Sequence, residues 1–493
     1  MSSILTNNSA MVALQTLKSV NANLQQTQSE ISTGKSVGSA KDNSAVWAIS
    51  KVMESDVKGF NGIQESLSLG ESTVAVARNA SETVTDLLTD IKGKIVAAQE
   101  ENVDRAKIQE DIDALTDQIK SVVGAAQFNG LNLVSGTEDV NVLSSLDRSG
   151  NGTVAASNIT VERQDLGTVA GTYGSGTSLS ANGTASAAAV VNTAVSETLT
   201  IATDTDVSTD SFSISIAGST VNFGIGDLTG NQDAAATAIS GAINALGLEG
   251  VTASVATNVV TINSTRAFEE VGLTALKNGA ATGVTLSATE IGERAENVTF
   301  SASANVNEGD GYQVTVGSQT LTYVAGKGET FEDVARGLKT AIDAAGIENI
   351  TTQVAKNDSG QWQLKVDNDG ASLAFSVVGA AGGEASGGLF GLGGIDVTTN
   401  NGADAALDNI ETLIQTSIDA AASFGSVQGR IETQSDFVGK LVDSLKSGIG
   451  TLVDADLEET SARLQALQVQ QQLATQSLSI ANQAPQNILS LFR

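Results

Sequence analysis

The 493-residue chain contains no cysteine and no histidine. These absences exclude disulfide frameworks, thiol nucleophiles, imidazole bases and the usual ligands of zinc, copper and haem. Aromatic residues make up only 3% of the chain, so ring platforms for sugar binding are scarce as well. We therefore expect no catalytic residues, no metal site, no cofactor and no enzymatic activity.

Long hydrophobic runs and an excess of basic charge are also missing. No apolar run approaches the roughly 18 residues of a membrane span. With 26 basic and 56 acidic side chains, the net charge of −30 disfavours nucleic acid and anionic membranes as partners. The first residues lack the basic and apolar regions of a secretory signal, so we expect any export to proceed without a cleaved signal peptide.

Charge is absent from both ends of the chain. Residues 464–492 contain no charged side chain but carry leucines at helical spacing among Gln, Ser and Asn, and residues 1–17 are uncharged too. A helix that is solvated on its outer face normally carries Lys, Glu, Arg and Asp there. The two ends are therefore predicted to be assembly segments.

Two long seams of apolar residues flank the middle of the chain. Alternating spacings of three and four run from Val46 to Ala98 and from Leu407 to Leu452, which predicts helices of about 75–80 Å that pack lengthwise. A shorter seam from Ile108 to Ala126 predicts an antiparallel return helix. The seam residues expected between the long helices are Ile49, Met53, Phe60, Ile63, Leu67, Leu88, Ile91, Ile414, Phe424, Ile431 and Leu445.

The middle of the chain, about residues 131–400, is rich in Gly, Ser, Thr, Val and Ala and alternates like β-strands. It contains an internal repeat: residues 212–255 are followed about 100 residues later by the similar residues 312–354. Each copy is predicted to be a hairpin, a short amphipathic helix and a closing strand pair.

The predicted fold class is thus α+β multidomain, with long N- and C-terminal helices paired in a coiled-coil bundle and β-rich outer modules inserted between them. We expect four parts. They are terminal helices at 1–40 plus 455–493, a coiled-coil domain with a β-hairpin at 41–175 plus 400–454, a first outer module at 176–290 and a second at 291–399.

Three short segments resemble ligand or catalytic motifs but are better explained as loops. Residues 326–330 lack the first glycine and the Lys-Ser/Thr pair of a phosphate loop. Residues 367–370 lack the spacing and closing Glu of a calcium loop, which favours a hairpin turn. The acidic pair Glu269-Glu270 is expected to be solvated surface.

Motifs at both ends resemble the bacterial flagellin family. Near the N-terminus they are residues 31–35 (ISTGK), residues 39–45 (SAKDNSA) and residues 127–131 (QFNGL). Near the C-terminus they are residues 455–457 (ADL) and the specific ending ANQAPQNILSLFR at residues 481–493. The resemblance covers about 135 residues at the front and about 90 at the back.

This resemblance implies the structural subunit of a flagellar filament, self-assembling and extracellular. Its partners would be copies of itself, a flagellar export chaperone, and junction and cap proteins, with export by the flagellar type III route. The terminal residues expected to drive assembly are Leu17, Leu24, Ile31, Leu464, Leu467, Leu478, Ile488 and Leu489, of which the first six are expected to be exposed in the monomer. Without neighbours, the termini are expected to be largely unfolded.

Some flagellins are detected by Toll-like receptor 5 through an Arg-rich stretch read as LQRVREL. The corresponding stretch here is LTDIKGK, and its informative residues are Asp90, Ile91, Lys92, Gly93 and Lys94. Because Asp90 reverses the charge at the central position, the resemblance predicts weak receptor activation.

Three other functions remain open from the sequence. A hook–filament junction protein shares the terminal helices, although the complete C-terminal ending favours the filament. A secreted adhesin would use the repeated modules for binding, and the scarcity of aromatic residues argues against it. An enzyme would need a carboxylate site in the outer modules.

Overall fold

We describe a computed structural model that covers residues 7–148 and 153–491, without the side chains of residues 148 and 484–491. Seven α-helices occur in these residues. They are α1 (Asn8–Thr33), α2 (Ser44–Ala98), α3 (Arg105–Ala125), α4 (Gln232–Ala245), α5 (Phe331–Ala344), α6 (Asn400–Val453) and α7 (Leu457–Leu491). Single 3-10 turns lie at Val207–Thr209 and Leu392–Gly394.

The predicted long helices are present. Helices α2 and α6 have 55 and 54 residues, or about 80 Å each at about 1.5 Å per residue. The predicted return helix is α3, which begins where the Asp104 side chain accepts a hydrogen bond from the Lys107 backbone N–H.

The described residues divide into two compact units. The first unit comprises the described parts of Met1–Ser72, Asn141–Val161 and Val427–Arg493. The second comprises Thr73–Val140 and the described parts of Glu162–Ser426. Each unit has its own apolar core: Ile63, Leu67 and Ile431 are fully buried in the first, and Leu88 and Phe424 in the second.

A short break separates α1 from α2 and meets the corresponding break between α6 and α7. Gly34 ends α1 with φ of 68°, a left-handed conformation that glycine adopts without steric cost. Its carbonyl accepts a hydrogen bond from Ala455 N at 3.0 Å, and Ser36 N donates to Val453 O at 2.7 Å. These bonds hold the break between α1 and α2 beside the break between α6 and α7 in the first unit.

Twenty strands occur in the described residues. In chain order they are β1 (Gln127–Phe128), β2 (Leu131–Asn132), β3 (Val140–Arg148), β4 (Val154–Val161), β5 (Gly183–Ala185), β6 (Ala189–Val190), β7 (Val195–Ile201), β8 (Phe212–Ile216), β9 (Ser219–Phe223), β10 (Val251–Ala256), β11 (Val259–Ser264), β12 (Val271–Lys277), β13 (Val284–Leu286), β14 (Glu290–Ile291), β15 (Glu296–Phe300), β16 (Gly311–Val316), β17 (Gln319–Val324), β18 (Ile350–Lys356), β19 (Trp362–Asn368) and β20 (Leu373–Ala380).

Two short hairpins precede the repeated modules. The turn between β1 and β2 places Asn129 and Gly130 at positive φ, 51° and 82°, as a two-residue type I′ turn requires. The hairpin β3–β4 packs on α2, where a Cβ added to Gly70 would lie 2.6 Å from Val142 Cγ1. Any larger residue at this position would clash with the hairpin. This close approach explains the presence of glycine inside α2, although glycine costs a helix about 1 kcal/mol relative to alanine.

The predicted repeat is a structural repeat. The first module pairs its strands in the orders β10-β11-β7-β13 and β14-β12-β8-β9, around helix α4. The second module has the same arrangement with the orders β18-β19-β15-β5 and β17-β16-β20-β6, around helix α5. Within each module the hairpin, helix and strand pair follow one another as the sequence predicted.

The second module is completed by two strands that precede the first module in the sequence. Strands β5 and β6 precede the first module, yet Val298 of β15 pairs with Ala185 and Leu373 of β20 pairs with Val190. The expectation that residues 183–190 belong to the first module is therefore wrong. The first module, from β7 to β14, is a continuous insertion within the second, a nesting that composition could not reveal.

Candidate functional site

Helices α1 and α7 pair in the first unit and bring the two uncharged ends of the chain together. Gln471 Nε2 donates a hydrogen bond to Asn21 Oδ1 at 2.8 Å, and Asn7 Nδ2 donates to the Ala481 carbonyl at 2.7 Å. The buried apolar residues along this pair are Ala13, Val20, Leu467 and Ala474. Small residues dominate the list, so the paired helices shield little apolar surface by themselves.

The terminal leucines chosen from the sequence lie mainly toward the interior of this pair. Leu467 is 7% exposed when the two termini are folded as this pair, and its exposure in a monomer with unfolded termini stays a prediction. The side chains of Leu17, Leu24, Ile31, Leu464 and Leu478 are half-buried. Ile488 and Leu489 belong to α7, within residues 484–491, whose side chains the structure does not describe.

Apolar side chains of both helices are also open to solvent, and this exposed apolar surface was not identified from the sequence. Its residues, with exposed fractions of 45–69%, are Met11 (64%), Val12 (64%), Leu14 (45%), Val469 (55%), Leu473 (58%) and Ile480 (69%). The three-and-four spacing picks out the seam within a helix pair, whereas these residues lie outside the seam. The signal that could have found them is the absence of charged side chains from residues 1–17 and 464–492.

A shallow groove lies between the two helices, and Val12 and Leu473 of the exposed apolar surface line it. It encloses about 360 Å³ and is lined by residues of both helices, among them Val12, Thr16, Leu473 and Ser477. Its walls carry no charged group. Such a surface favours apolar and neutral hydrogen-bonding side chains over a charged ligand.

The long helices also expose apolar side chains in the first unit. Ile49, Val52, Leu69 and Phe437 are 54%, 47%, 53% and 59% exposed. The prediction that Ile49 lies in the seam is therefore wrong, because the interface at this level uses other positions of α2, such as the buried Val57. Isolated exposed hydrophobic residues are ordinary, but four on two long helices add to the unpartnered surface of this unit.

The other predicted seam residues are buried or half-buried. Ile63, Leu67, Leu88, Ile91, Phe424 and Ile431 are fully buried, and Met53, Phe60, Ile414 and Leu445 are half-buried. In the second unit a polar contact crosses the same seam. Thr85 Oγ1 donates to Ser417 Oγ at 2.9 Å, and Ser417 Oγ donates to the Ser81 carbonyl at 3.1 Å, which satisfies these buried hydroxyls and fixes the register of α2 against α6.

Neither a metal-binding cluster nor a membrane-spanning helix is found among the described residues. The most perturbed carboxyl is Glu329, beside a cavity of about 300 Å³ in the second unit. Burial raises the pKa of Glu329 to about 7, against the lowering effect of hydrogen bonds from Gly326 N–H and the Tyr323 hydroxyl. The Tyr323 hydroxyl lies 2.9 Å from both carboxyl oxygens, and burial raises its own pKa well above the usual value.

This raised pKa predicts a pH-dependent stability of the second unit. Because the folded chain holds the Glu329 proton more tightly than the unfolded chain, stability contributed by the protonated group is lost as pH rises from about 4.5 to about 7. We expect Glu329→Gln to stabilise the unit by roughly 2–3 kcal/mol at pH 8 and to change little at pH 4. Thermal unfolding of both proteins at the two pH values measures this, and an equal shift at both would contradict it.

Both helical ends of the chain match known protein families. Residues 4–139 match the family described as bacterial flagellin N-terminal helical region, and residues 407–492 match the bacterial flagellin C-terminal helical region. Flagellin A of Rhizobium meliloti is 33% identical over 498 residues, with all of both chains covered. Flagellin A of Rhizobium meliloti strain 1021 is 35% identical over 499 residues, again with full coverage. The chain belongs to the bacterial flagellin family. It is a structural subunit of the flagellar filament.

Shorter and more distant similarities accompany these. Flagellin FljN of Caulobacter vibrioides is 41% identical over 165 residues, which is 33% of this chain and 60% of that protein. Among solved structures, Xanthomonas campestris FlgL has a TM-score of 0.27 at 13% identity, covering 80% of this chain and 99% of the other. The flagellar junction protein FlgL of Legionella pneumophila has a TM-score of 0.29 at 10% identity, covering 82% and 98%.

The stretch that corresponds to the receptor-binding segment of some flagellins lies on α2 in the second unit. Ile91 is fully buried, so it offers no contact surface. Lys92 forms an ion pair with Glu411, and Lys94 Nζ lies 2.5 Å from Asp111 Oδ2. Asp90 and Gly93 are exposed, so the surface here is a mixture of an acid, a glycine and neutralised lysines.

Proposed function

We propose that this flagellin polymerises through the exposed apolar surface of α1 and α7. The observation that carries the proposal is the exposed apolar surface of six side chains, each 45–69% exposed, within the uncharged residues 1–17 and 464–492. Burying such side chains against neighbouring copies removes apolar surface from water at about 25 cal/mol per Å². Seeded growth of the purified chain, with and without residues 464–493, tests it directly.

The flagellin assembles in three layers in this proposal. Residues 1–40 and 455–493 form an inner tube, and the coiled-coil residues 41–175 and 400–454 surround it. The two modules between about 176 and 399 face outward, with residues 183–190 reassigned to the second module. Support comes from the distribution of charge, because the ends are uncharged although the net charge of the chain is −30.

The partners follow from the same surface. A flagellar export chaperone would cover the apolar residues of α7 before assembly, since exposed side chains such as Val469, Leu473 and Ile480 promote aggregation. Junction and cap proteins would meet the ends of the filament. Export without a cleaved signal peptide would deliver the chain to the outside of the cell, where it acts without catalysis.

A hook–filament junction protein is the less favoured alternative. Full-length relatives with 31–35% identity, such as Flagellin D and Flagellin A of Rhizobium meliloti, carry the name flagellin. A filament subunit is made in far more copies than a junction protein. No described feature of the modules favours the adhesin or enzyme alternatives.

The nesting of the modules predicts that the first can be removed without loss of the filament. Asn192 Oδ1 accepts a hydrogen bond from Arg294 Nη1 at 3.1 Å, so the two ends of the inserted segment lie close together. We expect a chain in which a short Gly-Ser linker replaces residues 193–292 to fold and polymerise with a thinner outer layer. Electron microscopy of filaments from cells that make only this chain measures the outcome.

A control deletion tests whether the filament tolerates any deletion in the outer modules. Removing residues 183–190, a far smaller deletion, takes β5 and β6 from both sheets of the second module. We expect this variant to expose the core of the second module and to be degraded. Filaments from the small deletion together with none from the large one would contradict the nesting.

Weak activation of Toll-like receptor 5 is expected from the stretch on α2. The buried Ile91 and the paired lysines leave little cationic surface for a receptor. A variant with Asp90→Arg, Gly93→Glu and Lys94→Leu is expected to raise the response of a receptor reporter cell line by at least about tenfold. A strong response to the unaltered protein at low nanomolar concentration would contradict this.

A further inference from the structure

Three polar side chains form a closed contact where the second module meets helix α6. Lys339 Nζ lies 2.8 Å from Asp343 Oδ2, one turn along α5, and 3.1 Å from Asn409 Oδ1 on α6. Asn409 Nδ2 donates to the same Asp343 Oδ2 at 3.1 Å. A carboxylate oxygen thus bridges an amine and the nitrogen of a carboxamide.

All three side chains are buried. The side chains of Lys339 and Asp343 are 9% and 7% exposed, and Asn409 is 6% exposed. Among the residues that the structure describes, the other carboxylate paired with this amine is Asp408, whose Oδ2 is 3.8 Å away and whose side chain is 70% exposed. A buried ammonium–carboxylate pair is costly to desolvate, and here the carboxamide of Asn409 contacts both charged groups.

The first module lacks this arrangement at the same place in its fold. Its helix α4 carries Ser240 and Asn244 where α5 carries Lys339 and Asp343. Asn244 instead hydrogen-bonds the backbone of Ala253, with Nδ2 donating at 2.8 Å and Oδ1 accepting at 2.7 Å. The triad is therefore not a requirement of the module fold and occurs in the copy that docks on α6.

We propose that Lys339 and Asn409 form an intramolecular isopeptide bond, with Asp343 as the catalytic residue. Asp343 first takes a proton from the Lys339 ammonium, and the freed Nζ attacks Cγ of Asn409, so that the new C–N bond replaces the bond to Nδ2. Asp343 delivers its proton to Nδ2, which leaves as ammonia, and then accepts the second proton that the attacking nitrogen loses. The reaction joins an amine and a carboxamide into a secondary amide and one ammonia, with no oxidant, metal or other co-reactant.

The geometry supplies the requirements of this reaction. An amine 3.1 Å from the carboxamide oxygen is held close to the adjacent carbonyl carbon, as proximity catalysis needs. The acid that must receive and return the proton already contacts both nitrogens. Thr352 Oγ1 donates to the second oxygen of Asp343 at 2.5 Å and fixes its orientation. A cleft of about 610 Å³ lined by Asp343 and Asn409 gives ammonia an exit.

The bond would fasten α5 covalently to α6 across 70 positions of the sequence. A filament subunit without cysteine cannot use a disulfide for this purpose. A secondary amide is also indifferent to the redox state of the surroundings. The second module would then be unable to separate from α6 even when the unit is partly unfolded.

Mass spectrometry of the chain purified from filaments tests the proposal. After the N-terminal residue is assigned, the intact mass is expected to be about 17 Da below the sequence mass, the mass of one ammonia. Tryptic digestion is expected to leave the chain uncleaved after Lys339 and to yield a branched peptide that joins residues 339 and 409.

Three variants complete the test. Lys339→Arg keeps the positive charge without a nucleophilic amine, and Asp343→Asn removes the proton carrier; both are expected to show their full sequence mass. Lys356→Arg, which alters a lysine that lies over Trp362 in the same module, is expected to retain the loss of about 17 Da. Full sequence mass of the unaltered chain, with ordinary cleavage after Lys339, overturns the proposal whatever the variants do.

Discussion

Phe424→Ala is expected to destabilise the second unit by about 3–5 kcal/mol. Phe424 lies on α6, is fully buried and is one of the largest buried side chains of the molecule. Its removal loses the transfer free energy of the ring and leaves a cavity between rigid helices that cannot collapse around it. Denaturant unfolding of the purified monomer measures the loss.

The same helix offers a matched control. Phe437 lies on α6 in the first unit and is 59% exposed. Phe437→Ala is expected to change the free energy of unfolding by less than about 0.5 kcal/mol, because little of this ring leaves water when the monomer folds. Equal destabilisation by the two substitutions would contradict the assignment of Phe424 to the seam.

Leu473→Glu is expected to prevent polymerisation while the monomer stays folded. Leu473 is 58% exposed and lines the groove between α1 and α7. A carboxylate costs little there in the monomer but would be buried without a partner between subunits, so the critical concentration should rise at least about hundredfold. Sedimentation of seeded samples over a range of protein concentrations gives this value.

A control for this charge lies two residues away. Gln471 is exposed and its amide bonds to Asn21, so Gln471→Glu tests the α1–α7 contact within one subunit rather than the exposed apolar surface. This substitution is expected to lower helix content in the monomer, which circular dichroism detects. An unchanged critical concentration for Leu473→Glu would exclude this surface from the subunit interface.

The helical part of the fold could be predicted from spacing because helix periodicity is a local property. The seam that begins at Val46 and the turn at Asn129-Gly130 both correspond to elements of the structure. The error at Ile49 has a physical reason. A three-and-four pattern assigns the same face of a helix to the core along its whole length. Near the start of α2, however, the buried residues are Ser50 and Val57 rather than Ile49.

The exposed apolar surface was predicted only in part. The uncharged ends identified the right helices, but the leucine spacing selected residues such as Leu467 that the α1–α7 pair already buries. The exposed apolar surface includes Met11 and Val12, adjacent residues that follow no seam. A single sequence separates these two surfaces poorly, because both are apolar and only the pairing of α1 with α7 distinguishes them.

The pairing of β5 and β6 with the second module and the buried triad could not be predicted at all. Strand pairing between residues 183–190 and the second module joins residues 113 apart (Ala185 and Val298) and 183 apart (Val190 and Leu373), and short strands of Ala, Thr and Val have no distinctive pattern. Likewise, Lys339 and Asp343 resemble an ordinary pair on a helix surface. Only the approach of α6 makes them buried and brings Asn409 to them.

The most direct measurement of the central claim is seeded filament growth observed by negative-stain electron microscopy. The purified chain and a chain lacking residues 464–493 are mixed with filament fragments in a salting-out buffer, which strengthens apolar burial. Polymerisation through α1 and α7 predicts long filaments from the intact chain and no growth from the shortened one. Growth of both to the same length would contradict it, because the exposed apolar surface of α7 would then be unnecessary for the subunit interface.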